Sequence, residues 1–210
     1  MSELISKNIP IKDLRMLEAR SIMDEFIVAL DGVTIPASFP DIIESIIGCK
    51  GKVITSAMGK ASHVIRKFSS TLCSLGMPSC YLHPGEASHG DLGLIQKQDV
   101  LFIASVSGKT REVLEVIDLA RKIGVKEIIG ITSHPDSPIR KKCDKILDMG
   151  VIKEAGTLRI APTSSTLILL ALLDIVALVA AKERGFTAED YYLRHHSGYC
   201  GILAREKIRK

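Results

Sequence analysis

Three hydroxyl side chains and a glycine within six residues, Ser105, Ser107, Gly108 and Thr110, form the stretch with the plainest chemistry. They follow the apolar run Val100 to Ala104 and precede a window with Val113, Val116, Ile117 and Ala120 at helical spacing. A strand, a tight turn and a helix start in that order point free backbone N–H groups and the positive end of a helix dipole at one spot. The hydroxyls add donors, and the natural guest is a phosphate. Gly108-Lys109-Thr110 also matches the second half of a nucleotide-binding P-loop. That motif needs glycine at position 103, where this chain has Ile103, so the reading contracts to a smaller hydroxyl-lined phosphate site. Ser105 or Thr110 alone would be explained by helix capping; their convergence favours an anion.

Four other places carry candidate chemistry. Met58-Gly59-Lys60 follows a second apolar run, and a lysine at a helix N-terminus opposes the dipole unless a ligand compensates. A solvated lysine is the alternative. His83-Pro84-Gly85-Glu86 and His89-Gly90-Asp91 place two histidines and two carboxylates within nine residues. Such groups suit zinc, but the spacing is not diagnostic, so His83 and His89 read as contacts to a polar substrate and no metal is assigned. Lys153-Glu154 precedes Thr163-Ser164-Ser165-Thr166, where hydroxyls crowd a helix start and make an anion site or a cap. His195-His196 is either a surface pair or, through a subunit contact, part of a site.

The elements that must position these groups follow from periodicity. Ile11 to Leu30 reads as an amphipathic helix, and Pro40 to Ile47 as a helix stopped by Gly48. From Lys52 onward, short apolar runs alternate with amphipathic windows, the signature of repeated βα units. Strands are expected at Val53 to Ala57, Ser79 to Leu82, Val100 to Ser105, Glu127 to Thr132 and Lys145 to Met149. Helices are expected at Lys60 to Leu75, after the Ser105-to-Gly108 turn with its end at Gly124, at Pro135 to Lys142, and from Leu167 to about Arg184 with Thr163 or Ser164 as its cap. The expected fold is α/β, a three-layer αβα sandwich around a five-stranded parallel sheet. Parallel sheets gather their loops, and hence their ligands, at the carboxyl edge, so Ser56 to Lys60, His83 to Asp91, Ser105 to Thr110 and Thr132 to Asp136, which all follow strand ends, should face one crevice.

The totals agree. A chain of 210 residues holds one full α/β domain, expected as N-terminal helices over 1–50, an αβα core over 51–186 and a C-terminal tail over 187–210 that contributes to the site. Few aromatics and no tryptophan leave Ile, Leu, Val and Ala to build the core. A formal charge of +4 with scattered basic residues argues against a nucleic-acid partner. Five cysteines without a CxxC pair read as reduced thiols, and charges near the N-terminus stand where a signal peptide needs apolar residues, which together point to a cytoplasmic protein. Leu167 to Ala181 carries Asp174 at its middle and falls short of the roughly 20 residues a membrane span needs, so it reads as a buried helix.

Taken together, MGK, HPGEASHGDLG, SVSGKTREV, KEAGTLRIAPTSST and RGFTAEDYYLRHHSG resemble the sugar isomerase (SIS) domain of arabinose-5-phosphate isomerases, in the same order from about Lys50 to Gly198. The resemblance implies interconversion of D-ribulose 5-phosphate and D-arabinose 5-phosphate through a cis-enediol, feeding Kdo synthesis for lipopolysaccharide or capsule, with no cofactor. It also implies a homo-oligomer, dimer or tetramer, with sites shared between subunits, and a short form without the CBS modules many members carry. Carried over by position, the catalytic residues are Lys60, Glu112, Glu154 and His195. Gly59, His83, His89, Ser105, Ser107, Thr110, Ser164 and Ser165 are expected to bind substrate. Glu154 is then the first candidate for the base and Glu112 the second, with His195 opening the sugar ring or shuttling protons between oxygens and Lys60 steadying the enediolate. Three departures stand out: the family's SNSGE is Ser105-Val106-Ser107-Gly108-Lys109, its HPGG is His195-His196-Ser197-Gly198, and the Gly before its MGK is Ala57. A phosphosugar-binding regulator without catalysis is the alternative from another class. Isomerisation of a hexulose or heptulose phosphate is the alternative among enzymes.

Overall fold

The computed structural model describes residues 11–209. Five parallel strands, β1 (Val53–Ala57), β2 (Ser79–Tyr81), β3 (Val100–Ala104), β4 (Glu127–Thr132) and β5 (Lys145–Asp148), form one sheet in the order β2-β1-β3-β4-β5. β1 and β3, which are buried along their whole length, are continuous apolar or small runs, as a sheet covered on both faces requires. Alternation along β3 divides the core. Val100, Phe102 and Ala104 face one layer, and Leu101 and Ile103 face the other.

The first layer consists of α2 (Phe39–Ile47), α3 (Gly59–Ser74) and the long α7 (Ser164–Glu183), with α1 (Ile11–Asp31) laid against α7. Phe68 of α3 meets Phe102 at a ring separation of 5.4 Å. The second layer holds α4 (Pro84–Ala87), α5 (Arg111–Ile123) and α6 (Pro138–Lys142). α5 is buried through Val113, Val116, Ile117 and Ala120, the apolar positions seen in the sequence. Its end is the expected Gly124, which takes a left-handed φ of 101° and closes the helix on Ala120 and Arg121. α8 (Ala188–Arg194) and α9 (Gly198–Ile208) pack on each other beyond α7.

Several boundaries differ from the sequence reading, each for a local reason. α6 starts at Pro138 rather than Pro135, because Ser137 precedes a proline and is extended at φ −83°, ψ 148°. α7 starts three residues earlier than Leu167 and spans 20 residues, so its length alone no longer argues against a membrane. Its burial does: Ile168, Leu169, Leu172, Leu173, Val176 and Ala177 lie in the core, and Asp174 pairs with Lys67 of α3 at 2.6 Å. Residues 187–210 read as a tail, but the described part of that span is the helical hairpin α8–α9, whose entry is fixed by a capping box between Thr187 and Asp190.

The relative direction of α3 and α7 sets the geometry of the site. Lys67 and Asp174 join their middles, and Arg184 just past α7 donates to the carbonyl of Gly76 just past α3 at 3.2 Å. The two helices therefore run in parallel and start at the same edge of the sheet.

Candidate active site

Ser105, Ser107 and Thr110 converge as their spacing implies. Ser105 Oγ lies 2.8 Å from Thr110 Oγ1 and 3.4 Å from Ser107 Oγ. Thr110 occupies the N-cap position of α5, yet its hydroxyl makes no capping bond and turns to Ser105 instead. The first amides of α5 are thus left pointing out of the helix. Gly108 closes the turn at φ 65°, and a β-carbon there would come within 2.3 Å of Ser137 Cβ, so only glycine fits.

The loop after β4 braces this turn. The carbonyl of Val106 accepts from Ser133 N, Ser133 Oγ and Thr132 Oγ1, each at 3.1 Å, and Ile139 N donates to Gly108 O at 3.2 Å. The sequence placed Thr132 to Asp136 at the crevice, but not this buttress. Its members come from different loops and no spacing announces them.

Glu154 lies in the loop between β5 and α7. One carboxylate oxygen, Oε2, accepts from Thr163 N at 2.8 Å, Thr163 Oγ1 at 3.2 Å and Ser165 N at 3.2 Å. Glu154, not Thr163 or Ser164, therefore caps α7, and the Thr163 hydroxyl is spent on Glu154 and on Ala155 N, from which it accepts at 3.1 Å. Burial pushes the carboxyl of Glu154 upward, but the donors of Ser165 and Thr163 outweigh it and hold the group below its ordinary value. The hydroxyls of Ser164 and Ser165 are buried without a hydrogen bond of good geometry, that of Ser165 standing beside the same carboxylate.

Lys60 is the second residue of α3 and is exposed, directly after Gly59, which starts the helix at a left-handed φ of 60°. Glu112 is the second residue of α5 and half-buried. Neither side chain has an ion-pair partner among the described residues. His83 caps α4: its Nδ1 accepts from Gly85 N at 3.2 Å, which leaves Nε2 as the protonated nitrogen. With Arg66, Tyr81, Glu86 and Asp91 it lines an open polar hollow of about 580 Å³. Arg66 stacks on the Tyr81 ring at 4.1 Å, and Tyr81 donates to the carbonyl of Ala57, three residues before Lys60. His89 is exposed just beyond α4. Among the described residues no three His, Cys, Asp or Glu side chains gather as a metal site.

One edge of the sheet thus carries the hydroxyl loop, Glu112, Lys60, the His83 loop, Glu154 and the start of α7. His195 is elsewhere. It closes α8, next to Arg194, whose guanidinium would touch a β-carbon on Gly76 at the far end of α3. Since α3 spans 16 residues, His195 and Lys60 of one chain lie on the order of 20 Å apart. The His195 ring stacks on Tyr191 with centroids 4.1 Å apart and planes within 7°.

The comparisons with known proteins agree with this fold. The SIS domain model matches residues 46–179. Arabinose 5-phosphate isomerase KdsD of Pseudomonas aeruginosa is 43% identical over 158 residues, covering 75% of this chain and 48% of that protein. The chain spans about half the length of the curated relatives it matches. A protein from Bacteroides fragilis, described as a phosphosugar isomerase involved in capsule formation, superposes with a TM-score of 0.85 at 37% identity over 88% of this chain and 99% of that one. Protein c3406 of Escherichia coli CFT073, solved in complex with arabinose 5-phosphate, superposes with a TM-score of 0.84 at 33% identity over 89% of this chain and all of that one. By sequence order, sheet topology and the matched domain, the chain belongs to the SIS domain family.

Proposed function

We propose that this chain is an aldose–ketose isomerase that interconverts D-ribulose 5-phosphate and D-arabinose 5-phosphate through a cis-enediol. The observation that carries the proposal is the carboxylate of Glu154, anchored through Oε2 at the start of α7 on the edge that also holds the hydroxyl loop. Anchoring one oxygen leaves Oε1 to meet a substrate, and a lowered pKa keeps it ionised at neutral pH, as a base must be. The phosphate would bind to Ser105, Ser107 and Thr110 and the first amides of α5, supplying binding energy remote from the reacting carbons. The buried hydroxyls of Ser164 and Ser165 offer further donors. Glu154 would move the proton between C1 and C2, while Lys60 steadies the charge that develops on the enediolate oxygen. Glu112 is the second carboxylate within this region.

His195 can serve in this scheme only from a neighbouring copy, because its own chain holds it at the other end of α3. The proposed enzyme is therefore a homo-oligomer with sites completed across subunits. Exposed apolar side chains on α1 (Met16, Leu17, Val28) and α8–α9 (Leu193, Tyr199, Ile202) suit such contacts. Supply of Kdo for lipopolysaccharide or capsule is the role the relatives suggest, and five free thiols suit a cytoplasmic setting.

The test is a coupled assay with ribulose 5-phosphate against a panel of ketose phosphates. Turnover of the pentulose phosphate that disappears in Glu154→Ala is expected. Binding without turnover would make the chain a regulator, and a preference for a hexulose or heptulose phosphate would move the substrate while keeping the chemistry.

A further inference from the structure

Glu154 is gripped from a second direction, through its own loop. Arg159 Nη1 donates to the backbone carbonyl of Glu154 at 3.4 Å, and Arg159 Nη2 pairs with Glu25 Oε1 of α1 at 3.1 Å. The other oxygen of Glu25 accepts from Gly156 N at 2.9 Å. One carboxylate on α1 therefore holds both ends of the segment 156–159, from a position 131 residues earlier in the chain.

Arg159 also carries a conformational cost. Among the described residues it is the non-glycine with a positive φ, at 50°, where a β-carbon crowds the neighbouring carbonyl. Strain of this kind persists where the surroundings over-determine it, and it clusters at functional sites. Stability does not account for it, since the Glu25–Arg159 pair is half-exposed and pairs of that kind contribute little. What the strained conformation does achieve is to bring the guanidinium back onto the Glu154 carbonyl.

We propose that Glu25 and Arg159 are positioning residues, a strap from α1 that fixes the Glu154 loop and hence the direction of the free Oε1. The inference rests on the part given to Glu154 in the isomerisation above. It assigns α1 a task at the site in addition to packing on α7.

The strap is tested in the full chain with Glu25→Ala, Glu25→Gln, Arg159→Gly and Arg159→Lys. Glu25→Ala and Arg159→Gly should lower kcat by roughly 10- to 100-fold, with KM for arabinose 5-phosphate changing by less than about twofold, because the phosphate loop on α5 is untouched. Arg159→Gly should not lower the melting temperature, since glycine adopts this φ freely. Glu25→Gln keeps an oxygen for Gly156 N and Arg159→Lys keeps a cation for Glu25, so both should recover part of the lost kcat. Wild-type kcat in Glu25→Ala, or a loss that follows melting temperature with no recovery in the conservative variants, would overturn the strap.

Amide hydrogen exchange decides the same point without substrate. In Glu25→Ala, exchange should quicken at Gly156 and also at Thr163 and Ser165, the amides held by the Glu154 carboxylate. Quickening at Gly156 alone would mean that the strap does not reach Glu154. A wild-type chain without turnover would instead defeat the isomerase reading, and exchange would still show whether the strap holds the Glu154 loop.

Discussion

Ser105 and Thr110 share a hydrogen bond between their hydroxyls at 2.8 Å, so the two sides of the anion loop are tied together by the atoms proposed to receive the phosphate. Ser105→Ala or Thr110→Val removes one donor and releases the other. Each should raise KM for the sugar phosphate about tenfold, with a smaller effect on kcat. The double variant should cost less than the product of the two, since either single change already breaks the shared bond. Steady-state kinetics on the three variants measures this, and strictly multiplicative losses would contradict it.

Gly108→Ala should be damaging for a different reason. Its β-carbon would overlap Ser137 Cβ, and φ at this position is 65°. A destabilisation of about 1–3 kcal/mol is expected, with displacement of the Ile139 N–H that bonds to Gly108. Thermal unfolding reads the stability, and phosphate binding should fall with it.

Glu154 links pH to stability. Its folded value lies below the ordinary 4.5, so the carboxylate stabilises the fold at pH above that value, and the contribution is lost as pH falls through the folded value. As a helix cap it should be worth about 1 kcal/mol. Glu154→Gln should therefore melt roughly 2–4 °C below wild type at neutral pH, with the gap narrowing in acid. A gap that widens as the pH drops below 4.5 would reverse the assignment.

The distance between Lys60 and His195 leads to a mixing experiment. Lys60→Ala and His195→Ala should each be inactive alone. Unfolded together and reassembled as a dimer, they should regain up to about a quarter of the wild-type rate, because half the assemblies are mixed and each mixed pair has one intact site. No recovery, with mixed assemblies shown to form, would refute sites shared across subunits.

Asp99 offers a control remote from the chemistry. Its side chain is 1% exposed and accepts from Lys52 N at 2.9 Å, Lys52 Nζ at 2.8 Å and Gln96 N at 2.8 Å, on the edge of the sheet opposite the site. Asp99→Ala leaves Lys52 and two amides without their acceptor and should cost about 3–5 kcal/mol. Kinetic constants measured well below the melting temperature should stay near wild type.

The sheet was legible in the sequence because β1, β3 and β4 are buried on both faces and admit little but apolar or small residues. α5 was legible because one face of it is buried and glycine ends it. α4 and α8 were not, being short, polar and set by local caps such as the Thr187–Asp190 box. Thr163 misled: a hydroxyl before an apolar helix is the usual cap, whereas the actual cap is a carboxylate nine residues earlier, brought there by a loop. The same limit hid Asp99, whose donors come from two turns, and the Glu25 strap, whose ends lie on different elements. Glu112 and Glu154 were named by the family resemblance, but the grouping of Lys60, the His83 loop and the hydroxyl loop on one edge followed from the rule for parallel sheets. The separation of His195 did not, because it depends on where α8 returns beneath α3.

Parallel winding has an electrostatic consequence for that edge. α3, α5 and α7 all begin there; α7 is answered by the Glu154 carboxylate, but α3 and α5 start without a side-chain cap, and each of these two brings roughly half a positive charge from its unpaired amides. Their sum is comparable to a bound monovalent cation and belongs to the backbone, so no single substitution erases it. Attraction for an anion is thus carried by the way the chain is wound, while the identity of the proposed reaction would rest with a few side chains at its rim. A lineage could exchange Lys60 or Glu112 and alter the chemistry, yet still inherit a basin that gathers phosphate esters.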